Sequence, residues 1–202
     1  MLTIALPKGR IADETLDRFE KAFGEKFVFE DRKLILEKSG FKFLNVRNQD
    51  VPTYVMHGAA DLGVVGLDVL AEKEYDLIKL LDLKLGRCKV AFGLRAGEKL
   101  NFDKSKITIA TKHEKIAKKY FEQKAMAVEI IKLYGSIELA PLVGLCDCIV
   151  DIVETGETMK QNGLEVGPTI METTAHLIAN KNSFYAKKDL IFDLKDKLEK
   201  FL

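Results

Sequence analysis

The chain has 202 residues, 47% of them hydrophobic, enough to bury one large core or two small ones and too apolar for a disordered chain. Its 32 Lys and Arg nearly cancel its 31 Asp and Glu, which removes the overall basic field that holds nucleic acid and leaves only a local anion site. The start, MLTIALPKGR, turns polar too soon for a secretory signal, and no later run is long enough to span a bilayer, so the cytoplasm is the expected compartment and no membrane partner is expected.

Short β-branched runs alternate with amphipathic stretches, the pattern of an α/β fold with helices packed on mostly parallel sheets. Leu2 to Leu6 reads as a buried strand, Ile11 to Phe23 as a helix, and Leu34 to Val46 as a hairpin turning near Ser39 and Gly40. Asp50 to Gly58 reads as a short helix, with Asp50 placed to cap it and Pro52 in its first turn. A strand at Leu62 to Val65, a helix at Leu67 to Glu74 and two apolar runs, Leu77 to Leu83 and Lys89 to Leu94, complete a first series.

The polar segment Arg95 to Lys104 reads as a hinge. Beyond it come strand Ile107 to Thr111, helix Lys115 to Gln123, strand Val128 to Leu133, helix Ile137 to Leu145, strand Cys148 to Val153, and a helix from Glu157 to Asn162 stopped by Gly163. Thr173 to Asn180 reads as a strand, and Ser183 to Leu202 contains a helix with apolar Leu190, Leu194, Leu198 and Phe201. The tail is expected to return to the first lobe. The predicted lobes are therefore 1–94 with 173–202, and 95–172, with ligands in a cleft between them. Gly58 to Val65 and Gly144 to Asp151 share a helix-end, Asp and strand pattern, a match too short to separate duplication from chance.

The segment Cys148-Ile-Val-Asp-Ile-Val-Glu-Thr-Gly-Glu-Thr-Met carries the most chemistry. A strand there opens into a turn and then a helix, so free backbone amides, close backbone approach at Gly156 and the Thr155 and Thr158 hydroxyls suit a phosphate. Asp151 and Glu154 just upstream are acceptors for ribose hydroxyls. A capped helix start explains the same residues equally well when they are taken alone.

Six segments widen the view: Ala5-Leu-Pro-Lys-Gly-Arg10, Arg32-Lys-Leu-Ile, Val46-Arg-Asn-Gln-Asp-Val-Pro52, Gly58-Ala-Ala-Asp-Leu-Gly-Val-Val-Gly66, Leu133-Tyr-Gly-Ser-Ile-Glu-Leu-Ala-Pro141 and Asp151-Ile-Val-Glu-Thr-Gly-Glu-Thr158. In this order, over essentially the whole chain, they resemble the ATP phosphoribosyltransferase family. That resemblance implies a two-lobed fold of the type II periplasmic-binding-protein kind with a central cleft. It implies attack of adenine N1 of ATP on the anomeric carbon of phosphoribosyl pyrophosphate (PRPP), with loss of pyrophosphate and inversion, as the first step of histidine biosynthesis.

The resemblance also implies site residues. Asp151, Glu154, Thr155, Gly156, Glu157 and Thr158 are expected to hold PRPP, and Arg32 and Arg47 to act as catalytic cations on pyrophosphate. Lys8, Gly9 and Arg10 form an expected second anion cradle, with Asp61 and Glu138 facing ribose hydroxyls or the adenine amino group. Mg²⁺ is the expected cofactor, with its ligands unassigned. The implied short form lacks a C-terminal regulatory domain, so a homodimer and a histidyl-tRNA-synthetase-like regulatory subunit are the expected assemblies.

Other features read more simply. Cys88, Cys146 and Cys148 suit reduced thiols, and Cys146-x-Cys148 lacks the second pair that a zinc site needs. His57, His113 and His176 accompany no nucleophile motif, and Lys115, Lys118 and Lys119 read as a solvated helix face. The competing readings are a solute-binding module of the same architecture, and a phosphoribosyltransferase for another base.

Overall fold

A strand covered on both faces reads as an unbroken apolar run, and β1 (Leu2–Pro7) is one: Leu2, Ile4, Ala5 and Leu6 are all buried in the computed structural model, which describes residues 1–202. Helix α1 (Arg10–Phe23) buries Ala12, Leu16 and Phe19 at helical spacing and stops at left-handed Gly24, whose N–H returns to the Glu20 carbonyl. Strands β2 (Ile35–Lys38) and β3 (Phe41–Val46) pair antiparallel across Ser39 and Gly40. Both turn residues have positive φ, as a tight hairpin twisted to match its strands requires.

Next come α2 (Val51–Met56), β4 (Leu62–Gly66) and α3 (Leu67–Lys73). Asp50 stands at the α2 N-cap, but its side chain makes no capping hydrogen bond; a 3₁₀ turn over Asn48–Asp50 leads into the helix instead. The two apolar runs predicted after α3 are one strand, β5 (Ile78–Arg95), continuous through Lys84 and Gly86 although both have positive φ.

Then follow β6 (Ile107–Thr111), α4 (Glu114–Glu122), β7 (Val128–Lys132), α5 (Leu139–Leu142), β8 (Cys148–Val153) and α6 (Glu157–Gln161). Strand β9 (Leu164–Ala179) begins well before the expected Thr173. The single predicted tail helix is two, α7 (Lys181–Ala186) and α8 (Lys188–Glu199); Asn180 caps the first by accepting from the Ser183 amide at 3.0 Å.

The chain forms two compact units, one of 1–86 with 174–202 and one of 87–173. The first crossing falls inside β5, ahead of the polar segment at 95–104, because Lys89 to Gly93 already pair with Val153 to Ile149 of β8. In the first unit the strand order is β2-β3-β1-β4-β9, with β1 parallel to β3 and β4, and β9 antiparallel to β4. Its core centres on Phe19, ringed by Phe23, Phe27, Phe41 and Phe43 at centroid distances of 5.8, 5.9, 5.3 and 5.0 Å. Ile191, Leu194 and Leu198 of α8 close the same cluster.

In the second unit the order is β5-β8-β6-β7, with β6 parallel to both neighbours. Phe92, Phe121 and Tyr120 pack edge to face on one side of this sheet. Ile149, Val153, Met159 and Leu164 pack on the other, directly under α6.

Candidate functional site

Strand β8 is buried from Cys148 to Val150 and half-buried at Asp151 and Ile152, near the carboxyl end where parallel α/β sheets collect ligands. The turn that follows is held by Gly156. Its φ is 83°, a left-handed value, and a Cβ there would stand 2.8 Å from Val166 Cγ2, so only glycine fits. Thr155 Oγ1 accepts the Glu157 amide at 3.3 Å, and Gln161 Nε2 donates to Glu157 Oε1 at 3.2 Å, which fix the start of α6. The first amides of any helix lack carbonyl partners within it.

A cavity of about 250 Å³ opens on this turn, lined by Asp151, Glu154, Thr155, Gly156, Glu157, Thr158 and Glu138. The fold thus brings together all six residues expected to hold PRPP. Glu138 departs from its expected grouping with the nucleotide residues: the segment before α5 brings it to this cavity.

Glu138, Asp151, Glu154 and Glu157 place four carboxylates on a cavity whose hydroxyls and amides favour phosphate oxygens. A bare polyanion meets repulsion there; hydroxyls, or a phosphate already neutralised by a cation, do not. Mg²⁺ suits this donor set, since it binds through one or two carboxylates together with substrate phosphates, and Asp151 and Glu154 are of that type. No group of three or more His, Cys, Asp or Glu forms a protein cage for a metal. Lys112, which sequence reasoning passed over, sits 3.0 Å from Asp151 Oδ1. No signal along the chain marks it: it reaches Asp151 because β6 is the parallel neighbour of β8.

The other expected residues belong to the first unit. In the β2-β3 hairpin Ile35 lies opposite Leu44, and the Asn45 amide donates to the Leu34 carbonyl at 2.8 Å. Arg32 and Arg47 therefore both lie just past the open end of this hairpin. On the other side of β3, Pro7 pairs with Val46, and the Lys8 amide donates to the Val46 carbonyl at 2.8 Å, so Lys8 runs beside Arg47. Backbone pairing thus carries all three residues to one end of this sheet. Arg32 and Arg47 are exposed and neither is in an ion pair, which leaves both guanidinium groups available to an anion.

Gly9 caps α1 at φ 101°, and its carbonyl accepts from Ala12 at 2.9 Å and from Asp13 at 3.3 Å. Arg10 is engaged on its own helix with Glu14 at 3.6 Å.

Asp61 has a different part from the one expected. It is 7% exposed, and its Oδ2 accepts the Thr3 amide at 2.9 Å and Lys187 Nζ at 2.7 Å. Burial pushes its carboxyl up, but the hydrogen bonds from Lys187, Thr3 and Ser183 outweigh that and hold it below the ordinary value. A carboxylate committed to those donors ties the segment before α8 to β1. It forms a structural ion pair with Lys187.

Cys146 and Cys148 are buried, and burial pushes the Cys148 thiol up to about 12. Lys118 pairs with Glu122 at 3.7 Å along α4, as a solvated face does. No helix is long and apolar enough to cross a membrane.

Residues 47–200 match the family model described as HisG: ATP phosphoribosyltransferase. A curated relative from Wolinella succinogenes, named ATP phosphoribosyltransferase, is 66% identical over 200 residues, covering 99% of this chain and 97% of that protein. One of the same name from Campylobacter curvus is 62% identical, covering 98% of this chain and 97% of that protein. Among solved structures, a chain of the ATP phosphoribosyl transferase (HisG:HisZ) complex from Thermotoga maritima is similar with a TM-score of 0.85 and 36% identity, over 99% of this chain and 98% of that one. The substrate-binding protein of an amino acid ABC transporter is similar at a TM-score of 0.61 and 13% identity, over 98% of this chain and 91% of that one, which shows a shared two-lobed α/β fold and nothing more.

Proposed function

This chain belongs to the ATP phosphoribosyltransferase family, and on that premise we propose that it joins ATP to PRPP, giving phosphoribosyl-ATP and pyrophosphate in the first step of histidine biosynthesis. It is a pentosyltransferase. The observation that carries the reading within the molecule is the Gly156 turn. That turn sets hydroxyls and amides for a 5-phosphate beside carboxylates suited to ribose hydroxyls.

Adenine N1 attacks the anomeric carbon as the bond to pyrophosphate breaks, so positive charge grows on the sugar and negative charge on the leaving group. No covalent enzyme intermediate is needed. Thr155, Thr158 and the Gly156 turn hold the 5-phosphate, while Asp151 and Glu154 accept from ribose hydroxyls and thereby aim the anomeric carbon. Arg32 and Arg47, with Lys8 and the Gly9-Arg10 turn beside them, contact phosphate oxygens and stabilise the departing pyrophosphate. Glu138 contributes to the PRPP side of the site.

Asp151 or Glu154 would hold Mg²⁺ on the protein, and the ion would supply neutralisation of part of the pyrophosphate charge. The working assembly pairs a homodimer of this chain with a regulatory subunit related to histidyl-tRNA synthetase, in the cytoplasm. The likeness to a chain of the Thermotoga maritima HisG:HisZ complex supports the pairing with a second kind of subunit.

The test mixes the purified chain with ATP, PRPP and Mg²⁺, without and with a regulatory subunit, and follows phosphoribosyl-ATP and pyrophosphate together. Equal amounts of both products are expected. Binding without turnover in either mixture overturns the reading in favour of a solute-binding protein. In variants, Thr155→Ala and Thr158→Ala are expected to weaken PRPP far more than ATP, and equal losses for the two substrates refute the loop assignment.

A further inference from the structure

The two carboxylate oxygens of Asp151, in the phosphate loop cavity, have different surroundings. Its Oδ1 accepts the Ile152 amide at 2.7 Å and lies 3.0 Å from Lys112 Nζ. The same oxygen lies 3.8 Å from Nε2 of His113, a side chain only 1% exposed. All three contacts fall on Oδ1.

His113 is held in place from below. Its amide donates to Thr111 Oγ1 at 2.9 Å, and that hydroxyl donates to the Val150 carbonyl at 2.6 Å. The last residue of β6 thereby fixes the residue after Lys112 against β8. The backbone of His113 is thus tied to the strand that carries Asp151, and its ring is packed away from water with one nitrogen toward a carboxylate.

We infer that His113 is a positioning residue: together with Lys112 it secures Oδ1 of Asp151, so that Oδ2 is presented to a ribose hydroxyl of PRPP. The inference rests on the reading of this cavity as the PRPP site. The physical reason is rotational. An aspartate on a strand turns freely about its terminal bond, which blurs both acceptors, unless one oxygen is anchored. The Ile152 amide and Lys112 on Oδ1, with the buried His113 ring packed beside it, remove that freedom before the substrate arrives, and an ordered acceptor binds more tightly than a mobile one. At 3.8 Å the His113 contact is longer than a hydrogen bond, so the ring stands as a packed wall beside Oδ1 and closes the last ångström when the ribose draws on Oδ2.

The experiment compares His113→Leu, which keeps the bulk and removes the donor, with His113→Gln, whose amide nitrogen stands near the position of Nε2. Calorimetric titration with PRPP in Mg²⁺ buffer is expected to show affinity reduced about tenfold in the Leu variant and within about threefold of the parent in the Gln variant. The KM for ATP is expected to stay unchanged in both. A purely structural histidine moves both substrates together, and its effects are not relieved by Gln. Parent-like PRPP affinity in the Leu variant, or equal losses in Leu and Gln, overturns the inference.

If the Leu variant does not fold, His113→Asn replaces it, because its shorter amide cannot reach Oδ1; Asn equal to Gln is then the overturning result. Asp151→Asn is measured alongside. If it leaves PRPP affinity intact, the reading of the cavity falls and takes this inference with it. If it weakens PRPP while His113→Leu does not, only the part given to His113 falls.

Discussion

Replacing Gly156 by alanine tests the phosphate turn where backbone geometry alone decides the outcome. An L-residue held at the observed φ of 83° is strained by about 1–2 kcal/mol. The new Cβ also meets Val166 Cγ2 at 2.8 Å. A β-branched side chain can yield only by leaving its rotamer, at about 0.5–1.5 kcal/mol. The strain is then about 2–3 kcal/mol.

Without ligand, the exposed turn can relax into another shape and shed much of that strain. PRPP binding demands the original shape, so the strain reappears in its affinity. At about 1.4 kcal/mol per factor of ten, PRPP is expected to bind roughly 30- to 100-fold more weakly. ATP affinity and the melting temperature are expected to change little. Calorimetric titration with each substrate measures this directly. The double variant Gly156→Ala with Val166→Ala removes the contact and keeps the φ, so it is expected to recover about a few-fold. Parent-like PRPP affinity in Gly156→Ala refutes the argument that this turn grips the phosphate.

Arg32→Ala and Arg47→Ala are each expected to lower turnover about a hundredfold or more, by analogy with the loss of one preorganised transition-state donor. Urea unfolding of both is expected to match the parent within about 0.5 kcal/mol, since both side chains are exposed and outside ion pairs. Asp61→Asn is expected to lose about 1–2 kcal/mol of stability in urea while the affinities for both substrates stay near normal, the half-exposed Lys187 partner limiting the effect. Because the folded carboxyl of Asp61 sits below its ordinary value, its contribution is present at neutral pH and disappears as pH falls through the folded value. Parent and Asn variant should therefore converge in stability on acidification below about pH 4. Among the thiols, the half-buried Cys88 is expected to react with iodoacetamide near pH 8, while Cys148, fully buried with its thiol pushed up to about 12, stays unmodified until the protein unfolds; mass spectrometry of the labelled chain reads this.

Much of this molecule was legible because its signals are local. The apolar run at β1, the Ser39-Gly40 turn, the Gly24 stop and the strand-turn-helix around Gly156 all act within a few residues of themselves. The errors share one cause. Lys84 to Arg87 lies near the break between the two predicted apolar runs, yet β5, set between β9 and β8 in the sheet, continues through it. The early part of β9 is likewise extended by its sheet and carries little pattern of its own. Asp61 is expected as a ligand only from the resemblance of its segment, and the partner the fold gives it, Lys187, is 126 residues away. Lys112 and His113 reach Asp151 only through the parallel neighbourhood of β6 and β8, which no spacing along the chain announces.

The tail that seals the Phe19 cluster has a bearing on synthesis. One unit runs uninterrupted from 87 to 173, whereas the other waits for Ile191, Leu194 and Leu198 to finish its interior. On the ribosome the internal segment can mature while the first eighty-odd residues still lack their lid, so the part made first is the part completed last. Nascent β1, β3 and α1 must stay out of trouble with their aromatic face open until the final turns of α8 emerge.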